Sequence, residues 1–184
     1  KRLVRNRDYF GPLMLQHGDT DALIVGYSKN YRTVLRPVLE IIEKAKGVDK
    51  IASMMMILSD KKPYFFADTS IHVNPTPEEM ANIAKMAEYA IKSFAIQPRI
   101  AMLSYENFSA NSETSKKVAK AVNILHQKYP DMIVDGEFQP DFAMSADHLQ
   151  DYPFSKLGKT PANTFIFPNL ESANLSYKII RGMK

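Results

Sequence analysis

Three polar stretches carry side chains that could do chemistry. The first holds Asn30, Tyr31 and Arg36, with Tyr27 and Lys29 beside them. The second holds Ser104, Asn107, Ser109 and Asn111, and the third Asp135, Gln139 and Asp141. A guanidinium offers a planar, bidentate fork for a carboxylate or phosphate. Hydroxyls and side-chain amides can hold the polar end of such a ligand without a metal. Asp135 and Asp141 could form a carboxylate pair for acid–base work. Each group also has a plainer account: a solvated or ion-paired arginine at a helix start, loop and cap duty for the serines, and turn-forming aspartates at a strand end.

Other chemistries find no foothold. His17, His72, His126 and His148 include no second histidine or cysteine at metal-ligand spacing. His126, beside the apolar stripe of a helix, reads as a half-exposed structural residue. There is no G-x-G-x-x-G turn, no P-loop and no G-x-S-x-G elbow. With no cysteine, thiol and disulfide chemistry are excluded.

The elements that must position these residues follow from periodicity. Ile100–Leu103 is a short apolar run after Pro98 and reads as a buried strand. Tyr105–Ser112 is a polar loop; Val118, Ala121, Val122, Leu125 and Tyr129 then keep helical spacing. Met132–Val134 is a further strand, closed by Asp135-Gly136, with a polar turn running on to Asp141. Strand, loop, helix, strand is a βαβ unit with parallel strands. Ligands bind outside the carboxyl ends of such strands, near helix N-termini, where Ser104–Ser112 lies.

Upstream, Asp8–His17 reads as a helix capped by Asp8 and ended by Gly18. Ala22–Val25 reads as a strand ended by Gly26. Pro37 suits the first turn of a helix that buries Val38, Ile41, Ile42 and Ala45 and ends at Gly47, so Arg36 would sit where that helix opens. Ile51–Leu58 and Tyr64–Ala67 form an antiparallel hairpin. Thr76, Pro77 and Glu79 spell a capping box ahead of Met80, Ile83, Ala84, Ala87 and Ile91. A short helix over Ser145–Gln150, a strand over Thr164–Phe167 and a final helix capped by Asn169 complete the pattern.

With 184 residues and 45% hydrophobic content, the chain can bury a core in one domain or two small ones. The net charge of +4 is scattered, with no run beyond Lys61-Lys62 and Lys116-Lys117, so no nucleic-acid face is expected. No apolar run approaches a membrane span, and a cytoplasmic location is expected. The chain starts without Met and ends on a helical pattern, from which a piece of a longer polypeptide is expected.

Leu35-Arg36-Pro37, Val73-Asn74-Pro75-Thr76-Pro77-Glu78-Glu79, Ala101-Met102-Leu103-Ser104-Tyr105, Asp135-Gly136-x-x-Gln139-x-Asp141 and Phe165-Ile166-Phe167-Pro168-Asn169-Leu170-Glu171 follow one another along nearly the whole chain. In these motifs it resembles the phosphate acetyl/butyryl-transferase family. Arg5-Asn6-x-x-Tyr9-Phe10-Gly11, Lys29-Asn30-Tyr31 and Ser104-Tyr105-x-Asn107-Phe108 are similar to one branch, the C-terminal phosphotransacetylase-like domain of large bacterial NADP-dependent malic enzymes. The resemblance implies an α/β fold, a two-lobed α/β/α sandwich of the phosphotransacetylase (isocitrate/isopropylmalate dehydrogenase-like) type, its first lobe incomplete. Residues 1–47 would belong to the first lobe, 48–168 to the second, and 169–184 to a helix returning to the first.

The same resemblance implies acetyl-CoA or acetyl phosphate as ligand, self-association, and an upstream malic domain carrying NADP and a divalent metal. It further implies control of malate decarboxylation to pyruvate, with no cofactor and no catalytic residue in this segment. The alternative it leaves open is phosphate acetyltransferase activity, from acetyl-CoA and phosphate to acetyl phosphate and CoA. Of the family's functional arginines, Arg36 carries over as an anion contact. Two departures stand out: the loop Ser104–Ser112 has no glycine, and the family's Ser-Arg pair with a following Asp falls outside the sequence.

Overall fold

Thr76 begins the clearest helix as its sequence dictates. Its hydroxyl accepts from Glu79 N–H at 3.2 Å, and Glu79 reaches back to Thr76 N–H at 2.8 Å, satisfying two of the donors every helix start leaves free. Thr76→Ala is expected to lower stability by about 1 kcal/mol, read as a shift in the urea midpoint at constant slope.

The computed structural model describes residues 3–26, 29–44, 48 and 50–183. They divide into two compact units, Lys1–Ile51 and Ala52–Lys184.

The first unit holds a 3₁₀ turn, Leu3–Arg5, and the helices α1 (Arg7–His17) and α2 (Tyr31–Ile41). Asn6, not Asp8, caps α1: its side chain accepts from Asp8 N–H at 3.1 Å. Gly18 ends the helix at φ 84°, a left-handed conformation that costs glycine little.

Two expectations fail here. Residues 22–26 form no strand, and Ile24 is 98% exposed. An apolar run becomes a strand only beside a neighbour that takes its backbone hydrogen bonds. Pro37 does not open its helix either: α2 starts at Tyr31 and Pro37 is an interior residue. The apolar period extends back through Val34, which is buried, and burial of that face outweighs the amide hydrogen bond Pro37 lacks. The helix ends at Ile41; Ala45 and Gly47 lie outside the described residues.

The second unit is built on a five-stranded sheet among the described residues: β1 (Met54–Ser59), β2 (Lys62–Ala67), β3 (Ile100–Leu103), β4 (Val134–Phe138) and β5 (Thr164–Ile166), in the order β1-β2-β5-β3-β4. β1 and β2 are the expected antiparallel hairpin. β2, β5, β3 and β4 run parallel, with Phe65 opposite Thr164, and Ile100 opposite both Thr164 and Val134.

All four residues of β3 are buried, because both faces of the sheet are covered. Ile100 and Met102 face one core with α3 (Pro77–Lys92) and α4 (Glu113–Lys128), through Met80, Ile83, Ile91, Val118 and Leu125. Ala101 and Leu103 face the other with Phe138, Leu149, Leu157, Phe165 and Ala173. On that side lie α5 (Pro140–Ala143), α6 (Ala146–Leu149) and α7 (Leu170–Gly182). Asn169 caps α7, accepting from Ser172 N–H at 2.9 Å.

The polar turn expected from Asp135 to Asp141 is also overturned. Val134-Asp135-Gly136-Glu137-Phe138 is an entirely buried strand, and Pro140 opens α5. Buried hydrogen-bond partners for Asp135 and Glu137 override the turn preference of an Asp-Gly pair.

Candidate functional site

The carboxyl ends of β2, β5, β3 and β4 share one edge of the sheet, and the chain leaves β2, β3 and β4 on polar residues, Asp68, Ser104 and Gln139. After β3, Ser104 is buried, and its hydroxyl lies 3.0 Å from that of Ser115 in the first turn of α4. Ser112 caps that helix, its Oγ accepting from Ser115 N–H at 3.1 Å.

β4 holds the loop between them in place. Phe138 O accepts from Ser104 N–H at 2.9 Å and Glu137 O from Phe108 N–H at 3.1 Å. Asn107 Oδ1 accepts from Gln139 N–H at 2.8 Å, while Gln139 Nε2 donates to Tyr105 O at 2.6 Å. The buried Glu137 carboxylate takes the amides of Ser109, at 2.7 Å, and Ala110. Phe108 and Ala110 both have φ 48°, rare for residues with a side chain, and these bonds hold them there. Phe108 also packs among Phe138, Tyr152 and Phe154, with ring centroids 4.8 to 5.2 Å apart.

Glu106 occupies the start of α4. Its carboxylate accepts from the Ser109 hydroxyl at 2.9 Å and from the Ser115 hydroxyl. The Ser115 bond is the main reason its carboxyl stays below the ordinary glutamate value; desolvation opposes it, and Ser109 and the backbone of Ser112 and Asn111 add to it. A helix N-terminus attracts negative charge, and here the chain supplies that charge itself.

Sequence-expected residues in this unit therefore divide by role. Ser104, Asn107, Ser109 and Gln139 are brought together at the loop, where each is bonded within the protein: Asn107 to Gln139, Ser104 to Ser115 and Ser109 to Glu106. Asn111 is exposed. Asp135 is buried and structural in its contacts: Oδ2 accepts from Lys156 N–H at 2.7 Å and Oδ1 from Gly136 N–H at 2.9 Å. Asp141 is exposed in the first turn of α5. His126 Nε2 bonds Val134 O at 2.9 Å.

Glu106, Glu137, Asp68 and His72 were missed by pattern, since a lone acid in a loop or strand has no periodic signature. Asp68 and His72 stand four apart immediately after an apolar strand, which is the one signal that could have drawn notice. Among the described residues no group of three or more His, Asp or Glu side chains is placed to hold a metal ion, and no helix is long and apolar enough to cross a membrane.

In the first unit, Arg36 is an exposed residue of α2. Its Nε donates to Glu40 Oε1 at 2.7 Å, and Tyr9 OH donates to Glu40 Oε2 at the same distance. The Arg36 hydrogen bond, with that of Tyr9, holds the Glu40 carboxyl below its usual value. Asn30 O accepts from Thr33 and Val34 N–H. Tyr31 lines an apolar cavity of about 360 Å³ with Leu15, Leu23, Val34 and Val38, at whose rim Lys29 Nζ meets Asp8 Oδ2 at 2.6 Å. Tyr27 lies outside the described residues.

Comparison with known proteins accords with this architecture. Phosphate acetyltransferase of Bacillus subtilis (strain 168) is 35% identical over 180 residues, covering 97% of this chain and 56% of that protein. NADP-dependent malic enzyme of Escherichia coli (strain K12) is 33% identical over 183 residues, covering 98% of this chain and 24% of that protein. The chain thus spans about half the length of the one relative and a quarter of the other. A phosphotransacetylase from Streptococcus pyogenes superposes with a TM-score of 0.87 at 32% identity, over 99% of this chain and 56% of that structure. The family model for phosphate acetyl/butaryl transferase matches residues 1–184. By fold and sequence alike, this chain belongs to the phosphate acetyl/butaryl transferase family.

Proposed function

We propose that this chain is the phosphotransacetylase-like domain of a malic-enzyme polypeptide, binding acetyl-CoA or acetyl phosphate as a regulator rather than a substrate. The observation that carries the reading is Glu106. A transferase loop must admit an external anion, and here the Ser109 and Ser115 hydroxyls at the α4 start are already bonded to a carboxylate of the chain. No glycine between Ser104 and Ser112 eases a ligand's approach to the backbone. In this reading acetyl-CoA binds one arrangement of the domain better than another and shifts an upstream malic enzyme, which decarboxylates malate to pyruvate with NADP and a divalent metal. Self-association belongs to the same proposal. Arg36 supplies the anion contact by releasing Glu40.

The test is calorimetry with acetyl-CoA on the full polypeptide. Arg36→Ala is expected to weaken binding about tenfold, 1.4 kcal/mol; unchanged affinity removes Arg36 from the site. The rival reading, acetyl transfer between CoA and phosphate, is favoured by the 35% identity to the Bacillus subtilis transferase. Acetyl phosphate formation by the full polypeptide decides between them.

A further inference from the structure

Two carboxylates divide the donors that lie between β3 and α4. Glu137 Oε1 accepts from Ser109 N–H at 2.7 Å and from Ala110 N–H. Glu106 Oε2 accepts from the Ser109 hydroxyl at 2.9 Å and from the Ser115 hydroxyl. The Ser115 bond, and after it Ser109 and the backbone of Ser112 and Asn111, hold the Glu106 carboxyl below the ordinary glutamate value against desolvation. From residue 109 to residue 112, each backbone N–H thus serves an acid of the chain. Phe108 and Ala110, both at φ 48°, turn the backbone so that two successive N–H groups converge on one oxygen. Successive N–H groups in such a turn form a concavity suited to an anion, and the start of the 16-residue helix α4 adds its dipole.

Acceptors show the opposite balance. Glu137 is 1% exposed, and its Oε2 is buried with no hydrogen-bond partner among the described residues. The donors at the α4 start are taken, whereas an acceptor beside them is left over. A phosphoryl group brings acceptor oxygens and negative charge. To find a donor here it must displace Glu106, and it meets a like charge in doing so. A ligand whose uncharged end carries an N–H group faces neither cost. Of the two acids, Glu137 is fixed inside β4, whereas Glu106 is a half-buried loop residue that a ligand can reach.

We infer that Glu106 sets the specificity of this edge: it stands where a phosphoryl group would sit and keeps out inorganic phosphate and acyl phosphates, so that the ligand admitted is an acyl thioester of coenzyme A. The inference rests on the reading that acetyl-CoA or acetyl phosphate meets this edge, and it selects between the two. The thioester and the amides next to it carry no charge, so that end of the ligand can lie against the loop with Glu106 in place. Acetyl phosphate has no uncharged arm of that kind, because its phosphoryl group adjoins the acetyl carbon.

The experiment is calorimetry on the full polypeptide with inorganic phosphate, acetyl phosphate and acetyl-CoA. Glu106→Ala frees the Ser109 and Ser115 hydroxyls and is expected to bind phosphate and acetyl phosphate about tenfold more tightly than the native protein. The native protein is expected to prefer acetyl-CoA to acetyl phosphate. Glu113→Ala is the control for charge alone: it removes the same charge from the first turn of α4, where the Glu113 side chain is 97% exposed. It is expected to leave phosphate affinity unchanged. No gain in E106A, or an equal gain in E113A, overturns the role of Glu106. So does a native protein that binds phosphate as tightly as E106A does. Should the native protein bind none of the three while E106A alone gains phosphate, exclusion by Glu106 is supported and the acetyl-CoA reading is overturned. Should E106A fail to fold, Glu106→Gln, which keeps the shape and loses the charge, must bind phosphate more tightly than the native protein; no gain there overturns the inference.

Discussion

Gly136→Ala is expected to destabilise the second unit by about 3 kcal/mol or more. Gly136 lies in the middle of β4 with φ +153°, a backbone conformation that L side chains rarely adopt. A Cβ there would stand 2.9 Å from Met102 Cβ and inside contact distance of Met102 O. Neither neighbour can yield. Met102 is fully buried on β3, which is paired on one side with β4 and on the other with β5. The damage reaches the loop as well, because Glu137, the next residue, holds the amides of Ser109 and Ala110. Urea denaturation should show a lowered midpoint at unchanged slope. A loss under about 1 kcal/mol would mean that β3 and β4 can part more easily than their burial implies.

Asp68→Ala is expected to cost about 3 to 5 kcal/mol, the range found when one partner of a buried charged network is removed. It leaves the N–H groups of Ser53, Ser70, Ile71 and His72 without their acceptor. The pH dependence has a definite sign. Asp68 is held below its unfolded value, so the unfolded chain binds its proton first as pH falls. The stability it contributes is complete above the unfolded value, near pH 4 or about 3.9, and is lost as pH drops through the lower folded value. Stability curves between neutral pH and about pH 3 should therefore fall less steeply for Asp68→Asn than for the native protein. Curves of equal slope would show that folding leaves the affinity of Asp68 for its proton unchanged.

Helix starts and the βαβ order were legible because their causes are local. The Thr76 capping box, the Ser112 and Asn169 caps, the Met54–Ala67 hairpin and the buried run Ile100–Leu103 each lie within a few residues of what produces them. The same local logic misread Ala22–Val25 and Asp135–Asp141. Whether an apolar run becomes a strand depends on a neighbour, and whether Asp-Gly is a turn depends on whether its polar atoms find partners inside. Tertiary structure alone decided the chemistry of the sheet edge. Glu106 reaches the Ser115 hydroxyl nine residues on, Glu137 the amides of Ser109 and Ala110 across the β3–β4 pair, and Asp68 the serine at position 53 across the hairpin. Sequence spacing fixes which atoms are one turn or one strand step apart. It does not fix which buried carboxylate must satisfy a distant loop's donors, because that demand arises only once the sheet has assembled and excluded water.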